Sequence, residues 1–175
     1  MSIQLRRHLF LTGEKRVGKS TLLRKLIAAE QLPFSGFETR PLLIDGERRG
    51  FTLHGFVSLP PFENDCIVCV RIAERMSVPV IPAFENSGVR ILQQSLQSDA
   101  TFLLMDELGK MEAGAPAFRQ AVLSALDSRK RILGVLQKGS CFAGPLAARD
   151  DVTLLCVTPE NRDSLYHELL QSWNA

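Results

Sequence analysis

The sequence predicts an α/β fold in three layers: a mainly parallel β-sheet, helices on both of its faces, and a β-hairpin insert. Three observations carry this. Short apolar runs that read as buried strands alternate with segments whose apolar residues recur at helical spacing. Strands buried on both faces are typical of parallel sheets. The dipeptide Asp45-Gly46 sits between two extended runs, where it favours a primed hairpin turn. A chain of 175 residues accommodates one core, because a second would leave both halves small, so residues 1–175 are expected to form a single domain.

The elements follow in order. Leu5 to Thr12 reads as a short buried strand, and Leu22, Leu23, Leu26 and Ile27 then mark one face of a helix that runs to about Ala29. In "GFETRPLLIDGERRGFTLHGF" the two hairpin strands flank Asp45-Gly46, and Pro41 places the first of them at a sheet edge or a bulge. The stretch "SVPVIPAFENSG" mixes a short apolar run with prolines before a helix carrying Val89, Leu92 and Leu96, with Asn86 or Ser87 as its expected cap. "TFLLMDELG" is an apolar strand ending in acids, followed by a helix marked by Phe118, Val122, Leu123 and Leu126. "RILGVLQ" and "VTLLCV" are two more buried strands. In the last helix Thr158 is the expected N-cap, Pro159 stands in the first turn, and Leu165, Leu169, Leu170 and Trp173 face inward.

Composition narrows the class of partner. Apolar residues make up 45% and charged residues 23%, ordinary for a soluble globular protein and far from a disordered one. With 21 basic and 19 acidic residues the net charge of +2 creates no strong field for nucleic acid or membrane. No apolar run approaches a membrane span, which points to a cytoplasmic protein, and a monomer is expected. Arg6 and Arg7 read as a solvated strand start rather than a twin-arginine export signal, since cleavage beyond them would remove the glycine-rich stretch. Of the four cysteines, Cys66 and Cys69 form a C-x-x-C; with no second pair to complete a zinc site, it reads as part of a buried strand, whose geometry puts the two on opposite faces. His8, His54 and His167 lie apart, without ligand spacing, and read as structural or surface residues.

The densest chemical signal is "FLTGEKRVGKSTLL" at residues 10–23. Gly13, Gly18, Lys19 and Ser20 meet every fixed position of G-x-x-x-x-G-K-[ST], the Walker A phosphate-binding loop, between a strand and a helix as that motif requires. Glycines let successive N–H groups curl into an anion nest, and the helix N-terminus adds a favourable dipole. Lys19 then reaches the β and γ phosphates, Ser20 puts its hydroxyl on Mg²⁺, and Thr21 lies near the α phosphate. The side chains of Glu14, Lys15 and Arg16 read as solvated loop charges.

Such a loop needs an acid at the end of a buried strand to hold hydrated Mg²⁺, and Asp106 is the natural candidate. Neighbours at a strand end point to opposite sides, so Glu107 can face a water near the γ phosphate and serve as general base. Gln137, ending "RILGVLQ", could sense the γ phosphate, because neighbouring parallel strands end on the same side. Lys110 and Glu112 either order the loop over the nucleotide or form a solvated ion pair. Arg40, Arg48, Arg49 and Arg162 are candidates for transition-state charge. Arg48 and Arg49 read better as a solvated hairpin, whereas Arg162, starting the last helix, can approach a bound base or phosphates.

Together, "GEKRVGKST", "GFETR", "DGERRGF", "DELGKME" and "NRDSL" resemble the small P-loop nucleoside-triphosphatase family of the cancer-related type, across essentially the whole chain. The resemblance implies a P-loop NTPase fold and Mg²⁺-dependent hydrolysis of several nucleoside triphosphates to diphosphates. It implies that Gly13, Glu14, Lys15, Arg16, Val17, Gly18, Lys19, Ser20 and Thr21 bind phosphates, and it agrees with the metal and water roles of Asp106 and Glu107. "NRDS" is not the N-K-x-D that reads guanine, so loose selectivity covering ATP and GTP is expected. Two other functions share the loop: a small-molecule or nucleotide kinase, which needs an acceptor pocket and a lid that excludes water, and a nucleotide-dependent adaptor that uses slow turnover as a timer.

Overall fold

A computed structural model describes residues 3–173 and gathers eight strands into one sheet, in the order β5-β4-β3-β2-β6-β7-β1-β8. The strands are β1 (His8–Thr12), β2 (Phe34–Ile44), β3 (Glu47–Gly55), β4 (Asp65–Ala73), β5 (Met76–Pro79), β6 (Phe102–Leu108), β7 (Arg131–Leu136) and β8 (Val152–Cys156). Pairings among β2, β6, β7, β1 and β8 are parallel, and those from β2 outward to β5 are antiparallel. The expected hairpin is therefore one half of a larger antiparallel wing. Its turn is the primed one that Asp45-Gly46 suggests, with φ of 52° and 77° at the two residues. Pro41 lies beyond Glu38, where β2 stops pairing with β6, so its missing N–H leaves no gap in that ladder.

Alternation along the parallel strands divides the core between the two faces. Phe10, Leu103, Met105 and Ile132 pack on one side, beneath α4 (Val89–Gln97) and α5 (Pro116–Leu126), whose Phe118 and Val122 are fully buried. Leu9, Leu11, Leu104, Leu133 and Val135 pack on the other, beneath α1 (Lys19–Ala29) and α7 (Arg162–Trp173). The stripe Leu22, Leu23, Leu26 and Ile27 is the buried face of α1, each large side chain contributing roughly 1.5–3 kcal/mol by leaving water. Shorter helical segments are α2 (Pro61–Asn64), α3 (Ile81–Ala83), α6 (Ala143–Ala147) and a 3-10 turn, Met111–Gly114.

Several local expectations change. The first strand begins at His8 rather than Leu5. Neither Asn86 nor Ser87 caps a helix: the chain is already helical from Ile81 and passes through a π-turn, Phe84–Gly88, into α4. Asn86 Nδ2 donates instead to the Pro82 carbonyl at 2.8 Å, one turn back. Thr158 caps the turn before α7, its Oγ1 accepting from the Asn161 N–H at 3.2 Å while Asn161 Oδ1 accepts from the Thr158 N–H at 2.8 Å. Cys66 and Cys69 are both buried, because β4 carries an extra residue against β3 between Ile67 and Cys69, which breaks the simple alternation. Both thiols are free. His8 is structural: fully buried, it meets the Leu126 carbonyl through Nε2 at 3.1 Å and accepts the Ile132 N–H at Nδ1 at 3.0 Å, and burial holds its pKa below the usual imidazole value.

Candidate active site

The parallel strands β1, β6, β7 and β8 all point their C-terminal ends to one edge of the sheet, and the chemically distinctive residues collect there. Thr12 ends β1, its carbonyl accepting the Val157 N–H at 2.7 Å, which ties the loop after β1 to the loop after β8. Gly13 follows with φ of +138°, and a Cβ there would stand 2.3 Å from the Val157 oxygen. Both conformation and space thus require glycine at this position. The loop turns again through Arg16 and Gly18, at φ of 64° and 100°, and delivers Lys19 as the first residue of α1.

Lys19 is buried, and its Nζ donates to the loop's own carbonyls, Gly13 O at 3.1 Å and Glu14 O at 2.7 Å. That holds the ammonium over the loop. Ser20 Oγ donates to Asp106 Oδ1 at 2.7 Å, bringing together two hard oxygen groups from α1 and β6. Burial raises the pKa of Asp106 and the Ser20 hydrogen bond opposes that rise. Glu107 is half-buried, and burial raises its pKa against the pull of the Lys19 charge. The β6–β7 ladder skips Glu107, passing from Asp106 to Leu108, and the Asp106–Glu107 peptide is cis. Lys19 acts on both acids, while Arg24 and Glu38 act on Asp106 and Lys15 on Glu107.

The loop after the acids is held from inside. Glu112 is almost fully buried and accepts the Gly109 N–H at 3.1 Å, so it is no partner in a solvated ion pair with Lys110. Burial pushes its pKa up to about 7. Gln137 accepts the Lys110 N–H at its Oε1, 3.2 Å away, and donates its own backbone N–H to Leu108 O at 2.9 Å. It thus clasps this loop to the end of β7.

Other candidates scatter. Arg162 lies against Gly18, its Cδ within 3.0 Å of where a Cβ would stand, and shares a polar groove with Arg16, Thr21, Lys25 and Asp163. Glu14 pairs with Lys138 at 2.5 Å on the surface, Lys15 is exposed, and Val17 packs against the core beneath α1. Arg49 pairs with Glu47 at 2.8 Å and Arg48 lies over the Phe51 ring, both on the exposed hairpin. Arg40 points its Nε at Glu38 Oε1, 2.5 Å away, while Arg24 holds the other oxygen. Glu38 is the buried residue that sequence reasoning missed. An acid within the apolar start of β2 was the available signal.

A strand, a glycine-containing loop and a helix, with an acid ending a neighbouring parallel strand, define a P-loop nucleoside-triphosphatase fold. The chain belongs to the NTPase family, whose profile matches residues 8–170, and it is a nucleoside-triphosphatase. It is 31% identical to Nucleoside-triphosphatase THEP1 of Thermotoga sp. (strain RQ2), covering 93% of this chain and 92% of the relative. It is also 31% identical to the Cancer-related nucleoside-triphosphatase of Homo sapiens, over 94% and 95% of the two chains. The solution structure of a human cancer-related nucleoside triphosphatase superposes with a TM-score of 0.68 at 29% identity, covering 94% of this chain and 96% of that one. THEP1 from Aquifex aeolicus shares the fold, with a TM-score of 0.68 over 94% of this chain and 97% of the other at 23% identity.

Proposed function

We propose that this chain hydrolyses nucleoside triphosphates to diphosphate and phosphate with Mg²⁺, accepting ATP, GTP and related nucleotides with loose base selectivity. The observation that carries the reading is the 2.7 Å contact between Ser20 Oγ and Asp106 Oδ1, with the half-buried carboxyl of Glu107 next along β6. Two hard oxygens in contact suit a small, hard cation. Ser20 and Asp106 would hold the ion, which when bound offsets the charge of the β and γ phosphates.

The chain's own groups do the rest. Backbone N–H groups from Gly13 to Thr21 cradle the phosphates, and Lys19 exchanges its carbonyl contacts for phosphate oxygens. Glu107 accepts a proton from water as that water attacks the γ phosphorus. Burial raises its pKa, which makes it a stronger base than a free carboxylate. Arg162, beside Gly18, adds positive charge next to the phosphates or base. Asn161 is held within its own turn, accepting from Thr158 N–H and donating to Cys156 O at 2.9 Å, and Ser164 stands where N-K-x-D carries its acid, which supports loose selectivity. The test is a product assay with each nucleoside triphosphate and Mg²⁺, with and without candidate acceptors. Phosphate release independent of acceptor supports hydrolysis; diphosphate formation only with an acceptor would replace it by a kinase reading.

A further inference from the structure

A cleft of about 470 Å³ opens between α1 and the start of β2, walled by Ile27, Leu32, Phe34, Phe56 and Leu104. Its size falls within the roughly 300–1,000 Å³ usual for small-ligand sites. It is separate from the phosphate loop, no residue of which lines it. Phe34 and Phe56 meet edge to face with centroids 4.9 Å apart, and His54 packs edge-on against Phe56 at 5.1 Å, which gives the apolar wall a defined shape.

One end of the cleft is charged. Arg24 and Glu38 line it, and both oxygens of the buried Glu38 carboxylate are taken, one by Arg24 and the other by Arg40. The side chains of Arg24 and Arg40 remain 57% and 44% exposed. Each guanidinium carries five N–H donors, and the contacts to Glu38 leave most of them open. Two positive groups thus share one neutralised carboxylate. Arg24 lines the cleft itself, and Arg40 stands beside it, held to the lining residue Glu38.

We propose that this cleft binds a small amphipathic anion: an aliphatic or aromatic body against the phenylalanine wall and one carboxylate or phosphate head on Arg24 and Arg40. Bidentate pairing of guanidinium with either head supplies the orientation. The cleft lies on the same two elements, α1 and β6, as the candidate active site. Glu38 is the register partner of Asp106 across β2 and β6, and Arg24 belongs to the helix that begins at Lys19.

The test titrates the full chain with octanoate, octyl phosphate and octanol, below their aggregation concentrations, by calorimetry and amide NMR. Saturable one-to-one binding of one or both anions is expected, with shifts at residues 24–34 and 56 and affinity at least tenfold above that of octanol. The two anions distinguish a carboxylate from a phosphate head. Ala28 is an exposed lining residue of α1, so Ala28→Phe fills the cleft from the helix surface and should abolish binding without altering the circular dichroism spectrum. Arg24→Gln should weaken anion binding at least fivefold and leave octanol unaffected. Equal affinity for octanol, binding that survives Ala28→Phe, or no saturable binding by either anion would overturn the proposal. These binding readouts do not depend on how the γ phosphate is cleaved.

Discussion

Ser20 Oγ and Asp106 Oδ1 are 2.7 Å apart although 86 positions separate them in sequence. Ser20→Ala and Asp106→Asn are each expected to lower kcat by an order of magnitude or more and to raise the Mg²⁺ concentration needed for half-maximal rate. Steady-state rates across a Mg²⁺ titration test this. An unchanged Mg²⁺ dependence in both variants would remove the pair from the metal site.

Glu107→Gln keeps size and shape while removing the proposed base. Turnover should fall by about 10²–10⁴, the usual contribution of a positioned acid or base, with nucleotide affinity retained. Lys19→Ala should instead lose affinity along with rate. Equilibrium binding of a nonhydrolysable nucleotide beside single-turnover kinetics separates the two, and a Glu107→Gln enzyme at full speed would mean the attacking water is activated elsewhere.

Gly13→Ala meets two obstacles, a φ of +138° and the Val157 oxygen. The positive φ alone costs about 1–3 kcal/mol, before any clash. Thermal denaturation should show a clear fall in Tm, and nucleotide binding should weaken as the loop shifts. Wild-type Tm in the variant would show that the loop does not hold this conformation.

Glu112 gives a pH prediction. Its pKa stands near 7 when folded, because burial favours the neutral form, against about 4.5 when unfolded. Between these values the folded state holds the extra proton, so this group's stabilising contribution is complete below about pH 4.5 and is lost as pH rises through 7. Glu112→Gln keeps an acceptor for Gly109 N–H and removes the titration. Relative to wild type, the variant should gain about 1–3 kcal/mol on going from pH 5 to pH 8. Denaturant melts at the two pH values measure it, and a difference independent of pH would refute the assignment.

The features legible in the sequence are those set by local chemistry. The phosphate-type loop could be read because its glycines and lysine occupy fixed positions between a strand and a helix. The hairpin turn could be read because Asp45-Gly46 suits positive φ at both places, and Asp106 because an acid ends an apolar strand. What escaped depends on distant partners. Glu38 becomes a buried clamp only when Arg24 from α1 and Arg40 from its own strand converge on it. Glu112 is a local case: of its two readings, loop ordering or a solvated pair with Lys110, the bond from Gly109 N–H three residues back favours the first. The cap expected at Asn86 or Ser87 failed because a π-turn carries the helix through a segment rich in helix-starting residues. β5 was hard to separate from loop, since Met76 and Val78 are apolar and exposed, which blurs the alternation.

The two halves of the sheet close over different distances along the chain. In the antiparallel wing, each strand pairs with its successor, so β2 to β5 can zip together as neighbouring hairpins. In the parallel half, β1 must find β7 and β8, joining Leu9 to Leu133 and to Thr153. Such long closures form slowly, because chain entropy is lost before contacts compensate it. Gly13, Asp106 and Val157 all belong to this half. A nucleotide bound among them would therefore stabilise the long-range closures and leave the hairpin wing to its own local pairings.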